Sequence, residues 1–385
     1  VTYYRFPKSA SFKKNVSKLL LATSLLTASF ASHAKADEAP QIVVSIKPVH
    51  ALVASVTKGV TTPKLIVTGA GSPHTYSLKP SQARDLQNAD IVFWVGPQLE
   101  TFLEKPLHSL AENASVTELS EAQGMEILSR RTGDGFEKHS HGAHEEHDEH
   151  AEHEHEQEGH KEHADHNDHK DHDHDEAHDK HEGEHHEEHE KHADHEKHEE
   201  GHGEHEDHDG HAHHGNADPH LWLDPHNAIA MLKAISAKLE KEDPIHAESY
   251  KQNTKDAIAK LNKLDEKIKH RLEPYQNKGF IVFHDAYQYF EKHYGLHASG
   301  SMTLNPQVTP GAKQMREISQ RLDGKNISCA FYEPQFNPKT IKVLAQEQHT
   351  KLEKIDPLGA ELTPGPDMYL QLIEGVANSM EKCLK

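Results

Sequence analysis

From Glu137 to Asp218 the chain runs for 82 residues on little besides His, Glu, Asp, Lys, Gly and Ala. This stretch holds 27 of the 39 histidines. It begins with His139, His141, His144, His147 and His150 and ends with His211, His213 and His214. Many of the histidines recur at every third position. No period gives the stretch an apolar face, so it cannot bury a core that would offset the entropy of ordering it. It reads as a disordered, acidic insertion that attracts metal. Neutral imidazole suits zinc, copper and nickel, and the interleaved carboxylates raise the local cation concentration. A low-complexity tract of no set function, or a solvated charged helix, is the bland alternative. The imidazole density favours metal over both.

Charge locates the acidity in that stretch. The whole chain carries −21, the stretch alone −25, and residues 1–36 carry +6. The rest is nearly neutral, which argues against a nucleic-acid partner. That remainder is large enough for two medium-sized lobes, each with a core. At the N-terminus, Lys13, Lys14 and Lys18 precede a short apolar run, Leu19 to Phe30, and then Ala34-Lys35-Ala36. This reads as an export signal over residues 1–36, cleaved before Asp37. The apolar run falls short of the roughly 20 residues needed to span a bilayer. Two cysteines, Cys329 and Cys383, allow one intramolecular pairing in an exported chain; two buried thiols are the alternative.

The remaining sequence alternates strand and helix. Gln41–Ile46, Lys64–Val67 and Asp90–Val95 read as strands, with helices opened by Pro48 and Pro80 and a third from Gln98 to Leu110. This order implies a parallel sheet with right-handed crossovers. After the insertion, Asp224-Pro225 caps a helix. A second helix follows Asp243-Pro244 and keeps an apolar rhythm through Ile258, Leu261, Leu264, Ile268 and Leu272. The alternation then repeats from Phe280 to the C-terminus. The expected fold is α/β: two lobes with parallel-type sheets bridged by one long helix, and the insertion in the first lobe. The expected segments are an N-terminal lobe at 37–136, the loop at 137–218, the end of that lobe at 219–242, the linking helix at 243–274 and a C-terminal lobe at 275–385.

Three of the histidines outside the stretch, His74, His220 and His284, sit in turns at strand ends, where α/β sheets bind ligands. Each alone reads as an ordinary polar or capping residue; together they form a metal constellation. Their surroundings are GSPHTYSLKPSQARDLQNADIVFWVGP, PHLWLDP and FIVFHDAYQYFEKHYG, followed by CAFYEPQF and IDPLG. This set resembles the periplasmic zinc-binding receptors of ABC transporters, the ZnuA type of the metal-binding solute receptors, over essentially the whole mature chain. The resemblance implies metal held between two lobes by His74, His220 and His284, with Asp356 at the family's carboxylate position. It also implies a Cys329–Cys383 disulfide, and zinc as cargo rather than manganese, because manganese-type members carry Glu where His284 stands. Some relatives have a Glu just before the first ligand; here Pro73 stands there. The fourth ligand is therefore open among Asp356, water and a histidine of the stretch. Asp224, Asp285 and Glu333 are expected to cap elements or to orient ligands.

The implied function is high-affinity capture of Zn2+ and delivery to the inner-membrane permease of a zinc importer, by a monomer. The histidine-rich stretch would be an accessory collector of low affinity. Metal bridging both lobes would favour a closed form over open ones. A zinc hydrolase competes, because three imidazoles with an open position are also a catalytic arrangement. The absence of HExxH, and ligands spread over both lobes, favour a binding role over an enzymatic one. A periplasmic zinc, nickel or copper buffer working through the stretch alone is the third reading.

Overall fold

The computed structural model describes residues 2–4, 39–131, 133, 136, 216–303, 311–323 and 325–385. The basic and apolar parts of the expected export signal lie outside the described residues. So does the histidine-rich stretch up to residue 215, with His139, His141, His144, His147, His150, His211, His213 and His214.

The first lobe contains β1 (Ile42–Val44), α1 (Lys47–Val56), β2 (Lys64–Leu65), α2 (Pro80–Gln87), β3 (Ile91–Trp94), α3 (Thr101–Leu110) and β4 (Ser115–Glu118). Two helices follow, α4 (Pro225–Glu242) and α5 (Ala247–Leu272). The second lobe contains β5 (Gly279–His284), α6 (Gln288–Tyr294), β6 (Ala298–Thr303), α7 (Ala312–Leu322), β7 (Ile327–Tyr332), α8 (Lys339–Glu347), β8 (Lys351–Lys354) and α9 (Met368–Leu384).

Both sheets are parallel, with orders β2-β1-β3-β4 and β6-β5-β7-β8. The second lobe thus repeats the strand order of the first. Their inner strands are buried on both faces, which is why Ile42–Val44 and Ile91–Trp94 read as unbroken apolar runs. In each sheet the chain reverses direction of progress between its first and third strands, and ligands bind at such reversals beyond the carboxyl ends. In the second lobe that place lies between β5 and β7.

The bridging helix is α5, 26 residues and about 39 Å long at the usual rise. The expected linker from residue 243 resolves into a short 3-10 turn, Pro244–His246, and then this helix. Its buried positions, Tyr250, Thr254, Leu261, Ile268 and Leu272, form a narrow stripe. That stripe packs on α1 and α4 and on α9, so one helix touches both lobes. Asp224 caps α4 as expected: its side chain accepts the His226 backbone N–H at 2.8 Å. Cys329 on β7 is bonded to Cys383 on α9.

One strand escaped the sequence. β4 has no apolar run, because it is an edge strand with no fully buried position. The neck of the histidine-rich stretch is also ordered: Ser129 bridges Ala217 antiparallel, and Arg130 N–H and Asp218 N–H donate to Asn216 and Leu128 carbonyls. Among the described residues no helix is long and apolar enough to cross a membrane.

Candidate metal centre

Each of the three histidines is fixed by a different element. His74 sits in the turn that follows β2. Gln82 of α2 holds that turn, donating to the Ile66 carbonyl at 2.6 Å and to the Tyr76 hydroxyl at 2.8 Å. His220 precedes a buried 3-10 turn, Leu221–Leu223. That turn is anchored to the second lobe by Trp222, whose indole N–H donates to the Pro357 carbonyl at 2.8 Å. His284 closes β5, beside the place where Glu333 follows β7.

Their Nε2 atoms converge. His74 Nε2 and His284 Nε2 each lie 3.3 Å from His220 Nε2, and all three ligand atoms fall within 4.8 Å of one another. A tetrahedral zinc with bonds of about 2.0–2.1 Å requires nitrogens about 3.3–3.4 Å apart. These two edges therefore match the ion before any ion is placed. The cavity between the rings has a volume of about 10 Å³ and is lined also by Trp222, Phe336 and Leu358. That is room for a single ion or water.

Two of the other ring nitrogens are committed. His220 Nδ1 donates to Asp218 Oδ1 and His284 Nδ1 donates to Glu333 Oε1, each at 2.7 Å. A proton held on Nδ1 leaves the Nε2 lone pair facing the cavity, which is the tautomer a metal needs. Asp218 and Glu333 are each only 2% exposed, and Asp218 Oδ2 and Glu333 Oε2 are buried without a hydrogen-bond partner. Unpaired buried carboxylate oxygens are costly. A divalent cation held by the attached imidazoles offsets their charge, so the residues present fit a metal.

The electrostatics separate the three histidines. Burial, then the neighbouring imidazoles and Arg130, hold His74 well below the usual histidine value. Burial, then His284 and Arg130, does the same to His220. Burial also opposes charge on His284, but Glu333 outweighs it and raises that histidine. Burial pushes Asp218 up to about 7, against its hydrogen bond from His220 and the charges of Arg131 and Arg130.

Asp356 is placed differently from the expected ligand set. Its Oδ1 accepts the backbone N–H groups of Leu358 and Gly359 and the Gln335 amide, and its Oδ2 accepts the Ala360 N–H at 2.6 Å. It organises the turn Asp356-Pro357-Leu358-Gly359, in which Gly359 adopts φ +67°. Its carboxylate does not belong to the group of converging ligand atoms.

Two parts of the site carry no signal in the sequence. Asp218 reads as the last residue of the acidic stretch, yet it is buried and orients His220. Arg131, at the neck of the stretch, pairs with both Asp285 and Glu291 and so ties that neck to the second lobe beside His284. Its guanidinium also lies 4.1 Å from the centre of the Phe136 ring.

Comparison with known proteins identifies the family. The model of the family described as zinc-uptake complex component A periplasmic, ZnuA, matches residues 42–383. The high-affinity zinc uptake system protein ZnuA of Brucella abortus (strain 2308) is 43% identical over 371 residues, 96% of this chain and 99% of that protein. The protein of the same description from Paracoccus denitrificans (strain Pd 1222) is 37% identical over 369 residues, 96% of this chain and 98% of that one. A solved structure described as a crystal structure of ZnuA has a TM-score of 0.62 at 20% identity, covering 90% of this chain and all of that one, which is a likeness of fold. The chain belongs to the ZnuA family of periplasmic zinc-uptake components.

Proposed function

We propose that this protein captures Zn2+ in the periplasm with high affinity and hands it to the membrane permease of a zinc ABC importer. The observation that carries the reading is the convergence of three Nε2 atoms at the edge length of a zinc tetrahedron, with two of the rings backed by carboxylates. His74, His220 and His284 are the ligands in this reading. Two of them resist protonation because they are buried, so the site is set to accept a cation rather than protons. Nitrogen donors on all three sides favour zinc over harder cations.

The fourth position belongs to water or to a histidine of the histidine-rich stretch rather than to Asp356. Moving Asp356 into the shell would strip four hydrogen bonds from a turn. The stretch collects metal through many weak sites tethered near the cleft, acting by effective concentration. Export of the chain and a monomeric receptor complete the reading. The ligands come from both lobes, so a bound ion joins them, and the permease reads the metal-loaded surface.

Isothermal titration tests the assignment on wild type, on the His284→Ala variant and on a chain lacking residues 139–214. The deletion should lower zinc stoichiometry and leave the tightest site intact, while His284→Ala should abolish that site. Titrating the weak sites at pH 7.5 and 5.5 should show them lost at the lower pH, because free histidines titrate near 6.5 and must be neutral to bind. Loss of the tightest site on deletion, or unchanged stoichiometry, contradicts the corresponding half of the reading.

A further inference from the structure

A second group of ligand atoms is built partly from the segment that supplies His220. Asp224, His226 and His293 each present one ligand atom, all within 4.8 Å of one another. Asp224 Oδ1 lies 3.1 Å from His293 Nδ1 and 3.8 Å from His226 Nδ1. The two imidazole rings meet edge to face with centres 4.7 Å apart. These separations bracket the edge of about 3.3 Å that a tetrahedral zinc requires.

The supporting contact is present as well. Asp265 on α5 accepts from His293 Nε2 at 2.7 Å, which fixes the ring and turns Nδ1 towards Asp224. A carboxylate behind the far nitrogen is the usual backing of a metal-bound imidazole. The Asp224 and His293 side chains are 4% and 8% exposed, whereas that of His226 is 73% exposed. Two donors are thus fixed, and the third closes over them from solvent.

Helix capping accounts for Asp224 but for neither ring. A clamp of His293 between Asp224 and Asp265 accounts for His293. Burial alone would lower His293, but these two hydrogen bonds outweigh it and push it up to about 9. Neither explanation places the His226 ring against that of His293 when open solvent is available to it.

We propose that Asp224, His226 and His293 form a second, solvent-open site for a borderline divalent transition metal such as zinc. One carboxylate and two imidazoles suit that class of ion, and the remaining position faces water. The ion takes the place of the proton that the carboxylates hold on His293 Nδ1, so binding releases it. Asp224 and His226 begin α4, His293 belongs to α6 and Asp265 to α5, so the ion pins three helices together. The site is separate from His74, His220 and His284 and does not depend on their role.

Crystals of the full chain soaked in zinc chloride, measured at the zinc edge, test the proposal. A peak is expected within about 2.0–2.2 Å of His226 Nδ1, His293 Nδ1 and an Asp224 oxygen. It should vanish in His226→Ala, an exposed substitution that leaves the fold and the cleft peak intact. No such peak, or a peak that survives in His226→Ala and is therefore an adventitious ion only, overturns the proposal. In solution, saturating zinc should suppress carbethoxylation of His226 in the wild type. It should do so equally in His284→Ala, which separates this site from the cleft. Equal His226 reactivity with and without zinc also overturns it.

Discussion

Each buried imidazole in the cleft acts through the residue behind it. Glu333 sets the tautomer of His284 and Asp218 that of His220. Glu333→Ala should weaken zinc binding about 10–100-fold, the usual cost of losing an orienting partner. Glu333→Gln, which keeps an acceptor and loses the charge, should fall between that and wild type. Competition with a chelator of known affinity reads both, and equal affinity of Glu333→Ala and wild type would exclude the orienting role. The three histidines stood out in the sequence because each falls near an expected strand end or turn, outside the histidine-rich stretch. Asp218 did not, because a carboxylate at the end of an acidic run carries no distinguishing signal; only folding of the Leu128–Arg131 neck against residues 216–218 buries it. Asp356 is ambiguous in the sequence for the opposite reason. Asp-Pro-Leu-Gly is equally the signature of a turn closed by its own carboxylate.

The elements that deliver these residues repeat one arrangement twice, and the equivalent switch point of the first lobe holds a buried carboxylate instead of a histidine. Glu100, at the start of α3, is fully buried and accepts from Ser45 after β1 and from the Val95 and Gly96 N–H groups after β3. Burial pushes it up to about 7, against those three hydrogen bonds. Between about 4.3, the ordinary value of an unfolded glutamate, and about 7 the folded chain therefore holds a proton that the unfolded chain has lost. Stability from this group falls as pH rises through that window. Glu100→Gln, which mimics the protonated form, should flatten the slope of thermal midpoint against pH between 5 and 8. An unchanged slope would show that Glu100 does not hold the proton. The Cys329–Cys383 bond closes a separation of 54 residues, and joins β7 to α9. Replacing both cysteines by Ala should cost up to about 4 kcal/mol in denaturant unfolding on the chain-entropy account. The strand and helix alternation was readable because buried parallel strands are apolar throughout. β4 was not, because an edge strand is defined by its neighbour and not by its own composition.

At the scale of the molecule, the lobes are less independent than the strand count suggests. One continuous apolar cluster runs from Ile42 of β1 through α1, α4 and α5 to Leu384 of α9. Above it, Lys47 at the start of α1 is 6% exposed, and its ammonium donates to the carbonyls of Gly359, Ala360 and Leu362. This is the turn that Asp356 organises, so one cation of the first lobe is held by the loop that flanks the metal cavity in the second. The Asp356 carboxylate thus serves the lobe contact. Opening about α5 must break this contact, because Lys47 and its acceptors belong to different lobes. Lys47→Met keeps the buried stem and removes the three donors. It should destabilise the chain by about 2–3 kcal/mol, since buried carbonyls lose a charged partner. Amide exchange at Leu358, Gly359 and Ala360 should quicken, and zinc should leave the cleft faster while the Asp224, His226 and His293 group keeps its affinity. If exchange in the turn quickens but zinc dissociation does not, the lobe contact does not control release, and the metal must leave by motion of the His74 turn alone.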